Sequence, residues 1–281
     1  MTCLSSPLFP NSPIFDHIQL NPFWILKINR EKREIEIEMT TMMRAMSENE
    51  TVSCYDTHAE AYDLYQSQVV PGYLEMIELV AEAAHRYLPR EPWIIDLGCG
   101  TGNASMAILK KIPAKVFLID GSERMVRTAV EKISGSYPGA IIGSRVADLS
   151  GDDWDEGLGD EKFDAIVSTL VLEHLPFDRY RAAIEKCDRR LMPGGWLLAA
   201  EGYAEDGSDM QEWFFQEMEA RRLTVDPAIS DFVAGLRNDL ETHYYTSKVE
   251  KAGWWREAGL SDVDVLWQYL CIALMAGRKP S

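Results

Sequence analysis

The stretch Trp93-Ile94-Ile95-Asp96-Leu97-Gly98-Cys99-Gly100-Thr101-Gly102 is a short apolar run that ends in a turn with glycine at every second position, and Asn103 to Lys111 can follow it as a helix. A run without polar alternation is what a strand covered on both faces needs. Open α/β sheets hold their ligand where such a strand turns into a helix, because glycine lets backbone come close to it. Two phosphate-binding patterns are excluded here. The dinucleotide fingerprint G-x-G-x-x-G requires glycine at position 103, which is Asn103, and no Gly-Lys-Ser/Thr follows to cradle a phosphate.

Outward from this turn the same rhythm repeats. Upstream, Tyr73, Ile77, Val80, Ala84 and Leu88 recur at helical spacing ahead of Pro89 and Pro92. Downstream, Val116 to Ile119 is a second strand closed by Asp120-Gly121, and Ser122 then caps a helix carrying Val126, Ala129, Val130 and Ile133 on one stripe. Ala140 to Val146, Phe163 to Ser168 and Trp196 to Ala200 are three more strands; a helix is predicted from Phe177 to Leu191, before the Pro193-Gly194-Gly195 turn. Ser208 with Gln211, and Ser247 with Glu250, stand at capping-box spacing for two further helices, the first reaching Leu223 and the second ended by Gly259. Val263 to Trp267 and Cys271 to Ala276 read as a terminal hairpin. The alternation predicts an α/β fold: a mostly parallel seven-stranded sheet with helices on both faces and a C-terminal antiparallel hairpin.

The composition narrows the function. Of 281 residues 46% are hydrophobic and 26% charged, an ordinary globular balance that excludes wholesale disorder. Asp and Glu number 45 against 28 Lys and Arg, and a net charge of −17 repels a phosphate backbone, so direct nucleic-acid binding is disfavoured. Cys3, Cys54, Cys99, Cys187 and Cys271 form no CxxC pair and are odd in number. Neither a disulfide framework nor a metal site is expected, and reduced thiols fit a cytoplasmic protein. No apolar run approaches the roughly 18 residues that span a bilayer, so no membrane attachment is expected.

Residues 1–45, with Pro10, Pro13 and Pro22 ahead of a methionine-rich run, read as an N-terminal extension: a flexible tail or mis-assigned start, or alternatively a lid or oligomer arm. Residues 46–281 then form one domain, with 201–247 as a lid or substrate insert. Residues 148–164 hold eight acids against one base, Lys162, and read as a solvated loop rather than a metal site. A homodimer stays open.

The pattern D-x-G-x-G-x-G over Asp96 to Gly102 resembles the cofactor turn of the class I, Rossmann-like methyltransferases that use S-adenosylmethionine. Phe163-Asp164-Ala165-Ile166-Val167-Ser168 followed by Leu172-Glu173-His174-Leu175 resembles their fourth-strand motif, and Leu191-Met192-Pro193-Gly194-Gly195 the turn before their fifth strand. The resemblance runs from about residue 55 to 278. It implies a methyltransferase domain over 46–281, with S-adenosyl-L-methionine held against Gly98, Cys99, Gly100 and Gly102. Asp96 would answer its ammonium, Asp120 beside Gly121 would accept the ribose hydroxyls, and Asp148 beside Leu149 would hold the adenine amino group. Met125 would flank the adenine, with Ser168 and Thr169 near the sulfonium. Cys99 reads as a packing residue of the turn, since no base stands beside it.

Within that class the chain is similar to carboxy-S-adenosylmethionine synthase and to methyltransferase-like proteins of tRNA wobble-uridine modification. The shared pieces are Val70-Pro71-Gly72-Tyr73, Ala200-Glu201, Glu257-Ala258-Gly259-Leu260 and Trp267-Gln268-Tyr269. This similarity implies that Tyr73 contacts the cofactor and that Arg221-Arg222 falls near the arginine that binds the extra carboxylate. The synthase carries a serine and a bulky residue where this chain keeps Gly100 and Thr101, which favours ordinary S-adenosylmethionine.

Methyl transfer asks the protein for alignment and, where the nucleophile carries a proton, for a base. Glu173, His174, Glu201, Tyr203, His243 and Tyr244 could each supply one; His243, Glu201 and Tyr203 are the expected catalytic group. Trp213, Arg222 and Tyr244 are expected at the substrate. The stripe Met210, Trp213, Phe214 and Met218 is either core or the roof of a substrate cleft. Arg221 and Arg222 are either a solvated helix end or, pointing inward, the sign of a carboxylate-bearing substrate. The expected function is methyl transfer to a small-molecule acceptor. Carboxy-S-adenosylmethionine synthesis or tRNA modification is the catalytic alternative, and a non-catalytic S-adenosylmethionine-binding partner protein the other.

Overall fold

The structure, a computed structural model, describes residues 61–203, 208–225 and 244–281. Residues 61–69 are helix α1, and the left-handed Gly72 leads into α2 (Tyr73–Tyr87), which buries Tyr73, Met76, Ile77, Val80 and Ala84. Leu88 leaves that helix in extended backbone, as the residue before a proline must. β1 (Trp93–Leu97), α3 (Asn103–Lys111), β2 (Lys115–Asp120), α4 (Glu123–Ser136) and β3 (Ile141–Val146) follow. Then come β4 (Phe163–Thr169), a 3-10 turn at Leu172–His174, α5 (Phe177–Arg190), β5 (Leu191–Gly202), α6 (Asp209–Arg222), α7 (Lys248–Glu257), β6 (Ser261–Tyr269) and β7 (Ile272–Arg278). The serine caps form as the spacing predicts: Ser122, Ser208 and Ser247 accept the backbone N–H of Met125, Gln211 and Glu250 at 3.1, 3.3 and 3.2 Å. No described helix is long and apolar enough to cross a membrane.

The seven strands lie in the order β3-β2-β1-β4-β5-β7-β6, parallel except for β7, which runs antiparallel to both neighbours. Strand direction of connection reverses between β1 and β4, which opens a crevice at the carboxyl ends of those strands. Period-two alternation gives each face its own core. Ile94, Leu118, Val167 and Leu198 join Val80, Ile108 and Ile133 of α2, α3 and α4 on one side, while Ile95, Ile119, Ile166 and Leu197 join Tyr180, Ile184 and Trp255 of α5 and α7 on the other.

Three local readings differ from the structure. β5 continues through Glu201 and Gly202, which pair with Ala273 and Ile272, so the strand claims the first two residues assigned to the insert. Pro193-Gly194-Gly195 is not a turn ahead of the strand but lies within it, where the β4 register jumps between Leu191 and Trp196. The acid-rich 148–164 loop is anchored rather than merely solvated. Trp154 and Leu158 are buried in the second core, Asp155 bonds Arg190 at 2.5 Å and Lys186 at 3.2 Å, and the Lys186 ammonium lies 5.1 Å from the Trp154 ring centroid. Its acids are complemented by bases of α5, 27 or more residues away in sequence, a pairing that charge counting within the loop cannot reveal. The extension 1–45 lies outside the described residues, as do 204–207 and 226–243 of the insert.

Candidate functional site

The glycine turn sits at the carboxyl end of β1, pinned by the Gly98 and Cys99 N–H groups, which donate to the Ile119 carbonyl at 2.8 and 2.9 Å. Gly98, Gly100 and Gly102 all have positive φ, 72°, 50° and 83°. A Cβ on Gly98 would stand 2.3 Å from a Val171 methyl, so the segment after β4 lies directly on the turn. Cys99 is buried in the turn, and burial, then the charges of Asp120 and Asp96, hold its thiol well above the ordinary range, which leaves it unreactive.

The acids are placed by the strand ends. Asp96 is buried; its Oδ2 accepts from the Ser105 hydroxyl at 2.5 Å and from the Ser105 N–H at 3.3 Å, while Oδ1, equally buried, has no partner among the described residues. Burial, only partly offset by Ser105, pushes this carboxyl up to about 6. Asp120 ends β2 and accepts the N–H of Gly100 at 2.8 Å and of Ser122 at 2.9 Å, so the glycine turn itself fixes its rotamer. Gly121 and the buried Met125 follow it directly, and Asp148, exposed after β3 beside the buried Leu149, accepts from the Ser150 N–H and hydroxyl, both at 2.8 Å. Ser168, buried near the end of β4, donates to the Leu97 carbonyl at 2.8 Å and so ties β4 to β1, with Thr169 ending the strand.

α1 closes the turn from outside, a feature the sequence reading did not single out. Tyr62 lies over Gly100, and Asp63 takes hydrogen bonds from the Thr101 hydroxyl, from Asn103 Nδ2 at 2.8 Å and from Lys132 Nζ at 2.8 Å. The Tyr73 hydroxyl meets Asn103 Nδ2 at 2.9 Å, and burial raises that phenol above its ordinary range. The available signal was the polar-aromatic run Tyr62-Asp63 ahead of α2, whose partners are 38 and more residues away.

The substrate side is more divided. Glu201 and Tyr203 are brought together, but inside a closed network. Glu201 Oε1 accepts from the Tyr180 and Tyr203 hydroxyls, both at 2.8 Å, and Oε2 pairs with Lys251 Nζ at 2.6 Å. Trp255 Nε1 donates to the Tyr180 hydroxyl at 2.9 Å, and both ion-pair side chains are about 1% exposed. Glu173 lies beside this network. Burial first, and then the Glu201 charge, push its carboxyl up to about 8 against the opposing pull of Lys251 and a backbone N–H of Gly202.

Tyr244 donates its N–H to the Glu173 carbonyl at 2.7 Å, while His243 lies outside the described residues. Along α6 the predicted stripe splits. Gln211, Phe214 and Met218, spaced three and four apart, face inward, whereas Trp213 lies about 100° round the helix and is 56% exposed. Arg222, whose side chain is 7% exposed, points inward to the Tyr65 hydroxyl at 3.2 Å, with Nη1 3.8 Å from Glu219 and Nε unpartnered among the described residues; Arg221 is half-exposed beside Glu217.

Known proteins share this arrangement. Residues 94–195 match the family model described as a methyltransferase domain. An uncharacterized methyltransferase of Geobacillus kaustophilus is 30% identical over 193 residues, covering 69% of this chain and 77% of the relative. A carboxy-S-adenosyl-L-methionine synthase of Shewanella amazonensis is 32% identical over 145 residues, 50% of this chain, and the match spans only 57% of the synthase's length. The solved structure of an O-methyltransferase family protein from Burkholderia thailandensis matches with a TM-score of 0.58 at 20% identity, over 81% of this chain and 62% of that one, a likeness of fold. With these relatives the chain belongs to the class I S-adenosylmethionine-dependent methyltransferases.

Proposed function

We propose that the protein transfers the methyl group of S-adenosylmethionine to a small-molecule acceptor. One observation carries the cofactor half of this reading: a buried carboxylate oxygen, Asp96 Oδ1, has no donor among the described residues and stands at the glycine turn. Leaving such an acceptor unmet costs about 1 to 3 kcal/mol, and the ammonium of a methionine moiety is a donor that meets it. The residues present fit the rest of the cofactor. Gly98, Gly100 and Gly102 let it approach the backbone, Asp120 would take the ribose hydroxyls, and Asp148, Leu149 and Met125 would surround the adenine. When bound, the cofactor supplies a methyl carbon already activated by a sulfonium. The chain's work is therefore to orient the acceptor and to exclude water, with α1 and α6 as the covering elements and Trp213 and Tyr244 as groups that would meet the acceptor. The acid excess supports a small acceptor over a polyanionic one, and the free, buried thiols of Cys99, Cys187 and Cys271 are in keeping with a cytoplasmic protein.

Cofactor binding is the first test: at about one hundred times its Kd, S-adenosylmethionine should add ~2.7 kcal/mol to the stability. No change in Tm, together with no S-adenosylhomocysteine carried through purification, rejects the reading. A second reading is favoured by Arg222 alone. Its inward guanidinium with an unpartnered Nε suits a carboxylate, as in carboxy-S-adenosylmethionine synthesis or on a carboxylate-bearing acceptor. Incubation with labelled cofactor and prephenate, read by mass spectrometry, separates the two; absence of a carboxylated product removes the synthase.

A further inference from the structure

Two carboxylates, Glu201 and Glu173, are buried at the carboxyl ends of β4 and β5, and they are not equivalent. Both oxygens of Glu201 are committed to Tyr180, Tyr203 and Lys251. Glu173 is 3% exposed, takes a backbone N–H from Gly202, and keeps one buried oxygen, Oε2, without a hydrogen-bond partner among the described residues. Its place in the chain is next to the cofactor turn. It lies two residues beyond Val171, whose methyls rest on Gly98 of the cofactor turn. Its own carbonyl holds the N–H of Tyr244, and the Tyr245 ring covers Gly202 so closely that a Cβ there would stand 2.3 Å from Cε1. A buried carboxylate oxygen without a donor among the described residues calls for a ligand that donates.

We propose that Glu173 is the general base of the reaction, its Oε2 taking the proton of an acceptor whose nucleophilic atom is a hydroxyl oxygen or an N–H nitrogen. The inference rests on the methyl-transfer reading and adds the class of nucleophile to it. As the new bond to the methyl carbon forms from the nucleophile's electron pair, its proton passes to Glu173 Oε2, and the carbon–sulfur pair returns to sulfur, which leaves as a neutral thioether. The groups that face Glu173 set its readiness: Glu201 of β5 and Tyr203 just beyond it, Lys251 of α7, Tyr180 of α5 through Glu201, and Cys271 ahead of β7. The Lys251–Glu201 pair is internally neutral, so it can hold Glu173 in a polar frame without supplying a cation to lock it as a permanent ion pair.

The acceptor need not be known to test this. Sinefungin carries a primary ammonium where S-adenosylmethionine has its methyl and sulfonium; S-adenosylhomocysteine has no charge there. Calorimetric titrations in buffers of differing ionisation enthalpy count the protons released by each ligand. At about pH 7 sinefungin should release close to one proton more than S-adenosylhomocysteine, because its ammonium displaces the proton held by Glu173, and the excess should vanish at about pH 9.5, where that proton is already gone. Glu173→Gln should abolish the excess and weaken sinefungin about tenfold or more at alkaline pH, with S-adenosylhomocysteine held within about twofold of wild type. No excess proton in the wild type, or an excess that survives in Glu173→Gln, overturns the assignment. The wild-type count decides it alone if the variant does not fold. Failure of S-adenosylhomocysteine to bind at all removes the methyl-transfer reading and this one with it, whereas binding without the excess rejects Glu173 only.

Discussion

Replacing Gly98 by alanine probes the contact on which the geometry of the site depends. The added Cβ would meet Val171 Cγ2 at 2.3 Å, Cγ1 at 2.5 Å and Cβ at 2.8 Å, all in a chain held on one side by the two hydrogen bonds to Ile119. Two costs combine. A left-handed φ of 72° in a non-glycine residue costs about 1 to 2 kcal/mol, and forcing a methyl into a filled contact costs about 1 to 3 kcal/mol. Gly98→Ala should therefore lose about 2 to 5 kcal/mol, which in a domain of this size lowers Tm by roughly 5 to 15 °C. The two parts can be separated by a double-mutant cycle. Val171→Ala removes the two nearest contacts but keeps the backbone strain and the Cβ at 2.8 Å, so in that background the cost of Gly98→Ala should fall by about 1 kcal/mol or more, which is the coupling. Urea or thermal melts on the four proteins measure it. Strict additivity would mean that Val171 does not lie on the turn, and the placement of Glu173 two residues further on would lose its support.

The other predictions concern charge. Asp96 should make cofactor affinity fall about tenfold per pH unit between roughly pH 6 and 4, since the ammonium prefers the ionised carboxylate while burial holds it protonated up to about 6; a flat profile across that range excludes a direct role. In the ligand-free protein the same raised value works the other way, and stability should decline as pH rises from about 4 to about 6 and level off above. Asp120→Ala should weaken S-adenosylhomocysteine more than tenfold, by loss of hydrogen bonds to a charged group at about 1.5 to 3 kcal/mol each, and an unchanged titration refutes the ribose role. Lys251→Met, which strands the Glu201 charge in the core, should cost about 3 to 5 kcal/mol in a urea melt; a loss below about 1 kcal/mol would show that Glu201 finds another partner or a proton. Asp155 is raised by burial but more strongly lowered by its bonds from Arg190 and Lys186, so its contribution is present above the ordinary Asp range and lost as pH falls through its lowered value. Asp155→Asn should remove about 1 to 3 kcal/mol at neutral pH and progressively less as pH falls below the ordinary Asp range.

Most of the fold is local information. Short apolar runs, serine caps and glycine stops specify β1, β2, α3, the start of α4 and α7 to within a residue or so, because each depends on neighbours in the chain. The misplaced boundaries have a different origin. The ends of β5 and β7 are set by pairing with each other, as in Glu201 with Ala273, and a strand that gains a partner can extend through residues whose own pattern has already ended. The same holds for the 148–164 loop, where Trp154 looks like a lone aromatic among acids until Lys186 of α5 is brought over it.

The site divides along the same line. The placement of the three acids at three strand ends, and of the spaced glycine turn, is readable because each is fixed by its own strand and they follow one another in sequence. The substrate half is not, since Glu201 and Lys251 are 50 residues apart and neither position advertises burial: a lysine near the start of a polar helix is ordinarily solvated. Only when α7 packs against β5 does Lys251 reach Glu201 and consume its second oxygen. A carboxylate whose oxygens are both engaged by an ammonium and two phenols can accept a proton only by giving up one of them, at the cost of leaving that group buried and unpaired. Glu173, sequence neighbour of the histidine that the motif draws attention to, faces no such requirement, which is why the proposed base is Glu173, whose Oε2 has no partner among the described residues, rather than Glu201 or Tyr203.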